Sequence, residues 1–227
     1  MRAGGIIFDL DNTLIQSRID FRRMARALVS WAHERLGPQA LPPGLEGRPI
    51  AQIVETLSAI DPEMTPALWE IVARHEAEGM QNLELEPGAL AVVQRLAGEG
   101  RPLAICTNNA RPATLAALAP FGHPLPFDFV VTRDEVRRLK PDPEGVLHIK
   151  AQWARRGVPT LMMVGDSWLD GKAAQLAGVP FVEYRGRPSR VPREPIPVWR
   201  RIEHLEEIFA LLSEDLDEPG AAGGGAG

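Results

Sequence analysis

An aspartate pair closes the first apolar run of the chain, where Gly4-Gly5-Ile6-Ile7-Phe8 leads into Asp9-Leu10-Asp11-Asn12-Thr13. Two later apolar runs also end in polar residues: Leu103-Ala104-Ile105-Cys106 in Thr107-Asn108-Asn109, and Thr160-Leu161-Met162-Met163-Val164 in Gly165-Asp166-Ser167, with Asp170 one helical turn on. Lys140 follows a fourth run, Phe127-Asp128-Phe129-Val130-Val131. Carboxylates that converge around a single lysine repel one another unless a cation sits among them. Ligands that are all oxygen imply a hard divalent ion such as Mg²⁺, which keeps several waters and a substrate phosphate in its octahedron. The five histidines are scattered and the only cysteine is Cys106, so zinc is not expected.

These groups need a scaffold that brings distant segments to one edge. The run at residues 5–8 is continuously apolar, as in a strand buried on both faces. Residues 15–85 read as mostly helical: 21–36 with apolar residues at three- and four-residue steps, then about 49–60, then about 66–80 carrying Leu68, Ile71, Val72 and His75. Beyond them, helices at about 88–98, 112–119, 143–156 and 169–177 alternate with strands at 102–107, 127–131, 160–164 and 180–183. Strict alternation implies a parallel sheet with helices on both faces, whose ligands lie beyond the carboxyl ends of the strands. The expected fold is therefore α/β, a doubly wound, Rossmann-like core at 1–14 and 86–212, with a small helical cap at 15–85 inserted after the first strand. Residues 185–201, with six arginines and four prolines, read as irregular, 202–212 as a last helix, and the Gly/Ala-rich 213–227 as a disordered tail.

Asp9-Leu10-Asp11-Asn12-Thr13-Leu14, Thr107-Asn108, Lys140-Pro141 and Gly165-Asp166-Ser167-Trp168-Leu169-Asp170 resemble, in order, the four motifs of the haloacid dehalogenase-like hydrolase superfamily. Lys140-Pro141-Asp142-Pro143-Glu144 and the run from Val164 to Gly178 look most like its phosphoglycolate phosphatase-like branch. The resemblance covers about residues 5–183, and the helical insert stands where that branch carries its cap. It implies a Mg²⁺-dependent phosphomonoester hydrolase acting on a small phosphorylated, phosphoglycolate-like metabolite. By the same resemblance Asp9 is the nucleophile that forms an aspartyl-phosphate and Asp11 the general acid and base. Thr107, Asn108 and Lys140 bind phosphate. The Asp9 and Asp166 side chains and the Asp11 carbonyl hold the metal, with Asp170 in support. Arg48, Ser17 and Arg18 are the cap residues placed to influence substrate choice.

Local sequence agrees. Pro141 disfavours the α region for Lys140, and Asp142-Pro143 is a helix-start signature. Asn12 stands where many relatives carry glycine, and Asn tolerates a left-handed backbone. Other residues have plainer readings. Asp170 could simply complement its helix start, and Asn108 and Ser167 could satisfy backbone groups. Strand alternation turns Cys106 away from Thr107, which makes it a packed core thiol. Trp31, Trp69 and Trp153 fall on helix patterns and are expected in the core, with Trp168 at the pocket mouth.

Composition narrows the remaining classes. A net charge of −5 argues against a nucleic-acid binder, no apolar run reaches the length of a membrane span, and a lone cysteine with no leader pattern points to the cytoplasm. Oligomeric state is not encoded legibly. The alternatives are a sugar phosphomutase of the same superfamily and a non-catalytic binding or regulatory protein on the same fold. A dehalogenase would have no use for Asp11 and the metal carboxylates. A receiver domain would not separate its acids from its threonine by the interval between Asp9 and Thr107.

Overall fold

The computed structural model describes residues 4–81, 83–185 and 196–213. Six parallel strands form one sheet: β1 (Gly5–Phe8), β4 (Leu103–Cys106), β5 (Phe129–Val131), β6 (Thr160–Gly165), β7 (Phe181–Tyr184) and β8 (Arg200–Ile202), in the order β5-β4-β1-β6-β7-β8. Strand alternation divides the core in two. Ile6, Phe8, Leu103, Ile105, Met162 and Val164 point to one face, under α4 (Ala89–Gly98), α5 (Arg111–Leu118) and α8 (Ile208–Ser213). Ile7, Ala104, Cys106 and Met163 point to the other, under α6 (Glu144–Arg155) and α7 (Trp168–Ala177). The chain reverses direction across the sheet beside β1, so the crevice between the β1 and β6 loops is where such a sheet accepts a ligand.

After β1 the chain enters α1 (Phe21–Leu36), α2 (Ile50–Ile60) and α3 (Thr65–Gly79). Met24, Leu28, Ile53, Leu57, Leu68 and Val72 pack into a hydrophobic cluster of their own. The link to the sheet is a two-stranded antiparallel ribbon, β2 (Ile15–Gln16) against β3 (Glu84–Leu85), with Ile15 opposite Leu85 and Gln16 opposite Glu84. Two residues per strand offer little periodicity, and the ribbon leaves no pattern in the sequence.

The C-terminal segment departs from expectation. Arg200–Ile202 is a strand, and the final helix begins only at Ile208. Arg201 pairs in register with Glu183 of β7, its Nε 2.8 Å from Glu183 Oε2, while Ile202 turns into the core. Charged side chains are what a solvated edge strand carries, and they hid it within an arginine-rich run. The 3₁₀ turn Leu205–Glu207 intervenes, with Glu207 accepting from the Glu203 and His204 N–H groups at 2.8 and 2.7 Å. Residues 186–195 of the arginine-rich segment and 214–227 of the expected tail lie outside the described residues.

Trp153 is fully buried on the α6 face and donates its indole N–H to Asp128 at 2.9 Å. Its ring lies so close to Gly5 that a Cβ there would sit 2.6 Å from it, so β1 needs glycine at that point. Trp153→Ala is expected to lower the free energy of unfolding by about 3–5 kcal/mol, as measured by urea titration.

Candidate active site

Asp9 follows directly on β1, its N–H donating to Val164 O at 2.9 Å, which holds the residue to the carboxyl end of the sheet. Asn12 then takes φ +57°, the left-handed turn expected of it, and reverses the chain so that its N–H reaches Ile15 O at 2.7 Å. Asp11 hangs from this turn over the same edge, and Thr13 donates its hydroxyl to Asp9 Oδ2 at 3.3 Å.

Lys140 enters from the loop after β5. Its backbone is gripped by the Asn108 side chain at both ends: Lys140 N donates to Asn108 Oδ1, and Asn108 Nδ2 donates to Lys140 O, each at 2.9 Å. The Lys140–Pro141 peptide is cis. Asp142 Oδ1 accepts from Glu144 N at 3.0 Å, although the N-cap of α6 is Pro143, one residue later than the start signature implies. The buried ammonium donates to Asp9 Oδ1 and Asp170 Oδ1, both at 2.6 Å, and to Cys106 O at 2.8 Å, which uses all three of its protons.

Asp170 has two roles. Its Oδ2 accepts from Ser167 N and Ser167 Oγ in a capping box that starts α7, while its Oδ1 holds Lys140. A Cβ on Gly165 would sit 2.6 Å from Asp170 Cβ, so the glycine makes this close approach possible.

Carboxylate oxygens of Asp9, Asp166 and Asp170 come within 4.8 Å of one another. Burial pushes the Asp9 carboxyl up to about 7, with Asp170 adding to the rise and Lys140 opposing it. Asp166 is raised well above the usual carboxylate range by burial and by the neighbouring Asp9 and Asp170 charges. Burial raises Asp11 too, against the Ser17 hydroxyl and the Asn109 amide, which pull it back. Burial acts against the charge on Lys140, but Asp170 and Asp9 outweigh it and hold the ammonium above the ordinary lysine range. Acids outnumber the base, the donors are oxygens, and Asp11 Oδ1 is buried without a hydrogen bond. This environment fits a hard dication.

A family model described as haloacid dehalogenase-like hydrolase matches residues 6–184, a stretch that runs from β1 through β7. The chain belongs to the haloacid dehalogenase-like hydrolases. It is 32% identical over 201 residues to a phosphoglycolate phosphatase from Rhodobacter capsulatus, covering 86% of this chain and 90% of that one. It is also 32% identical over 149 residues to hexitol phosphatase A from Escherichia coli, covering 65% and 67% of the two chains. A hydrolase of known structure from Pseudomonas syringae superposes with a TM-score of 0.67 at 23% identity, over 93% of this chain and all but 1% of that one, at 99%.

The other candidate residues of this hydrolase serve the backbone or lie elsewhere. Asn108 spends its side chain on the Lys140 backbone. Arg48 is exposed ahead of α2, with no ion pair among the described residues, and Arg18 pairs with Glu84 at 3.3 Å on the outside of the ribbon. Ser17 alone of the three reaches the neighbourhood of Asp11. Cys106 is buried in the core as expected, its thiol pushed up to about 12 by burial.

Trp69, like Trp31, packs against the insert's hydrophobic cluster from its partly buried edge. It is half-buried beneath the Arg133 guanidinium, 4.5 Å from its ring centroid. Arg133 grips Glu76 of α3 with both arms of its fork, at 2.7 and 3.1 Å, the only ion pair among the described residues that joins the insert to the segment beyond β3. Glu76 was legible in principle, since it falls four residues after Val72 on the apolar stripe of α3, where a charge needs a partner. Beside this pair a groove of about 580 Å³ separates α3 from α5, lined by Ala73, Ala77, Met80, Ala113, Ala117 and Pro120. Its lining includes Glu76 and Ala110 and none of the acidic cluster. Removing one partner of a buried pair strands the other charge, so Arg133→Ala is expected to cost about 3–5 kcal/mol in urea unfolding. Glu76→Ala in the same background should add far less than it does alone.

Proposed function

We propose that this hydrolase is a Mg²⁺-dependent phosphomonoesterase acting on a small phosphorylated metabolite, phosphoglycolate-like in kind, through an aspartyl-phosphate. The observation that carries the reading is the convergence of Asp9, Asp166 and Asp170 at the carboxyl edge of the sheet, with the Lys140 ammonium held between Asp9 and Asp170. The similarity to curated phosphatases supports it.

Asp9 is the nucleophile. One of its carboxylate oxygens forms a bond to phosphorus as the bond from phosphorus to the leaving oxygen breaks, which divides one hard displacement into two easier ones. Asp11 gives the leaving alcohol its proton, then takes one from the water that attacks the acyl phosphate and frees Asp9. Thr107 is buried and accepts from Asn109 N at 3.2 Å, which leaves its hydroxyl proton for a phosphoryl oxygen. Lys140 balances charge on the nucleophile and the transferring group, and Asn108 keeps it there. The Asp9 and Asp166 carboxylates with the Asp11 carbonyl would hold Mg²⁺, which when bound supplies further neutralisation of the same oxygens. Asp170 serves as an anchor, fixing Lys140 from the α7 capping box.

Phosphate release from a panel of phosphorylated metabolites is expected to require Mg²⁺, stop with EDTA and return when Mg²⁺ is restored. Asp9→Asn should abolish release while circular dichroism stays that of the parent. A variant that still turns over near the parental rate would remove the nucleophile assignment. Phosphoryl transfer between isomers with little free phosphate would make the protein a mutase.

A further inference from the structure

An oxygen of Asp11 is held by a residue that none of the roles above requires. Asn109, 4% exposed, donates its side-chain amide to Asp11 Oδ2. Asn109 is itself fixed on three sides. Its N–H donates to the Thr107 hydroxyl oxygen at 3.2 Å, and its carbonyl accepts from Arg133 N at 3.0 Å. The peptide that carries that carbonyl also carries the Ala110 N–H, which points at Glu76 Oε2 from 3.5 Å. One peptide unit is therefore clamped between Arg133 and the insert's Glu76, and those two residues are joined to each other through the guanidinium fork.

We infer that Asn109 is the positioning residue of Asp11: it fixes the carboxyl that passes a proton to the leaving oxygen, and its own placement is set by the Glu76–Arg133 clamp. The inference rests on the general acid role proposed for Asp11. A buried carboxyl on a tight turn has several rotamers open to it, and proton transfer requires the acid within hydrogen-bond reach of the leaving oxygen. A neutral amide donor suits the task, because it orients the carboxyl without adding a charge to a site already crowded with them. A positioning shell of this kind is what keeps an acid in line during the displacement.

The leaving group supplies the test, since a good leaving group departs without a proton and a poor one does not. kcat/KM, which reports the first displacement, is measured with phenyl phosphate and p-nitrophenyl phosphate for the parent, Asp11→Asn and Asn109→Ala. Asp11→Asn should lower the phenyl to p-nitrophenyl ratio strongly, and Asn109→Ala should lower it in the same direction by roughly fivefold or more, within the span general acids contribute. A purely structural defect scales both substrates alike and leaves the ratio unmoved. Asn109→Ser, small enough to fold in the same place but too short to reach Asp11, is read in the same way should the alanine variant unfold. A lowered ratio in Asp11→Asn with the parental ratio in the Asn109 variants overturns the inference and leaves the acid assignment standing. A parental ratio in Asp11→Asn overturns both.

Discussion

A buried ammonium shared between two carboxylates sets the terms for the whole catalytic edge. Without Lys140, Asp9 and Asp170 would face each other at the end of a dry sheet with a third acid, Asp166, beside them. Burial raises the proton affinity of Asp9 and Asp166, the like charges beside them raise it further, and one lysine lessens the effect without cancelling it. The surplus negative charge is what the dication of the proposed function would offset.

Much of the architecture serves to hold that ammonium still. Asn108 pins the Lys140 backbone from the β4 side, Asp170 receives it from α7, and the Cys106 carbonyl closes the third direction. The ends of β1 and β4 and the first turn of α7 thus converge on one ammonium, through Asp9, Cys106 and Asp170. Glycine at 165 lets Asp170 come close enough, and the capping box at Ser167 fixes the rotamer from which it accepts. A residue that looks like an ordinary helix start is also half of an ion pair, because a carboxylate has two oxygens and the fold uses them separately.

The parallel sheet was legible because strands buried on both faces are apolar without interruption, and because polar residues collect at their ends. The acids of the site were legible for the same reason. Side chains whose partners lie far along the chain were not. Asn109 beside Asn108 gives no sign of which reaches Lys140 and which reaches Asp11, since alternation along the chain says nothing of the turn that follows a strand. Glu76 stands on the apolar stripe of α3, but nothing along the chain names Arg133 as its partner or puts the same guanidinium over Trp69. The β8 strand was hidden by its own arginines, and the β2–β3 ribbon by its brevity.

The helical insert closes its own hydrophobic interior, and among the described residues it is tied to the rest of the chain by a ribbon of two residues on each strand and by the Glu76–Arg133 pair. Variation within that interior can accumulate without disturbing the register of β1 against β4 and β6. On the function proposed, substitutions there would change which metabolite is accepted while the acids beneath stay as they are. Such a division leaves one scaffold room to diversify everywhere but at Glu76, where the insert touches the segment that carries Asn109.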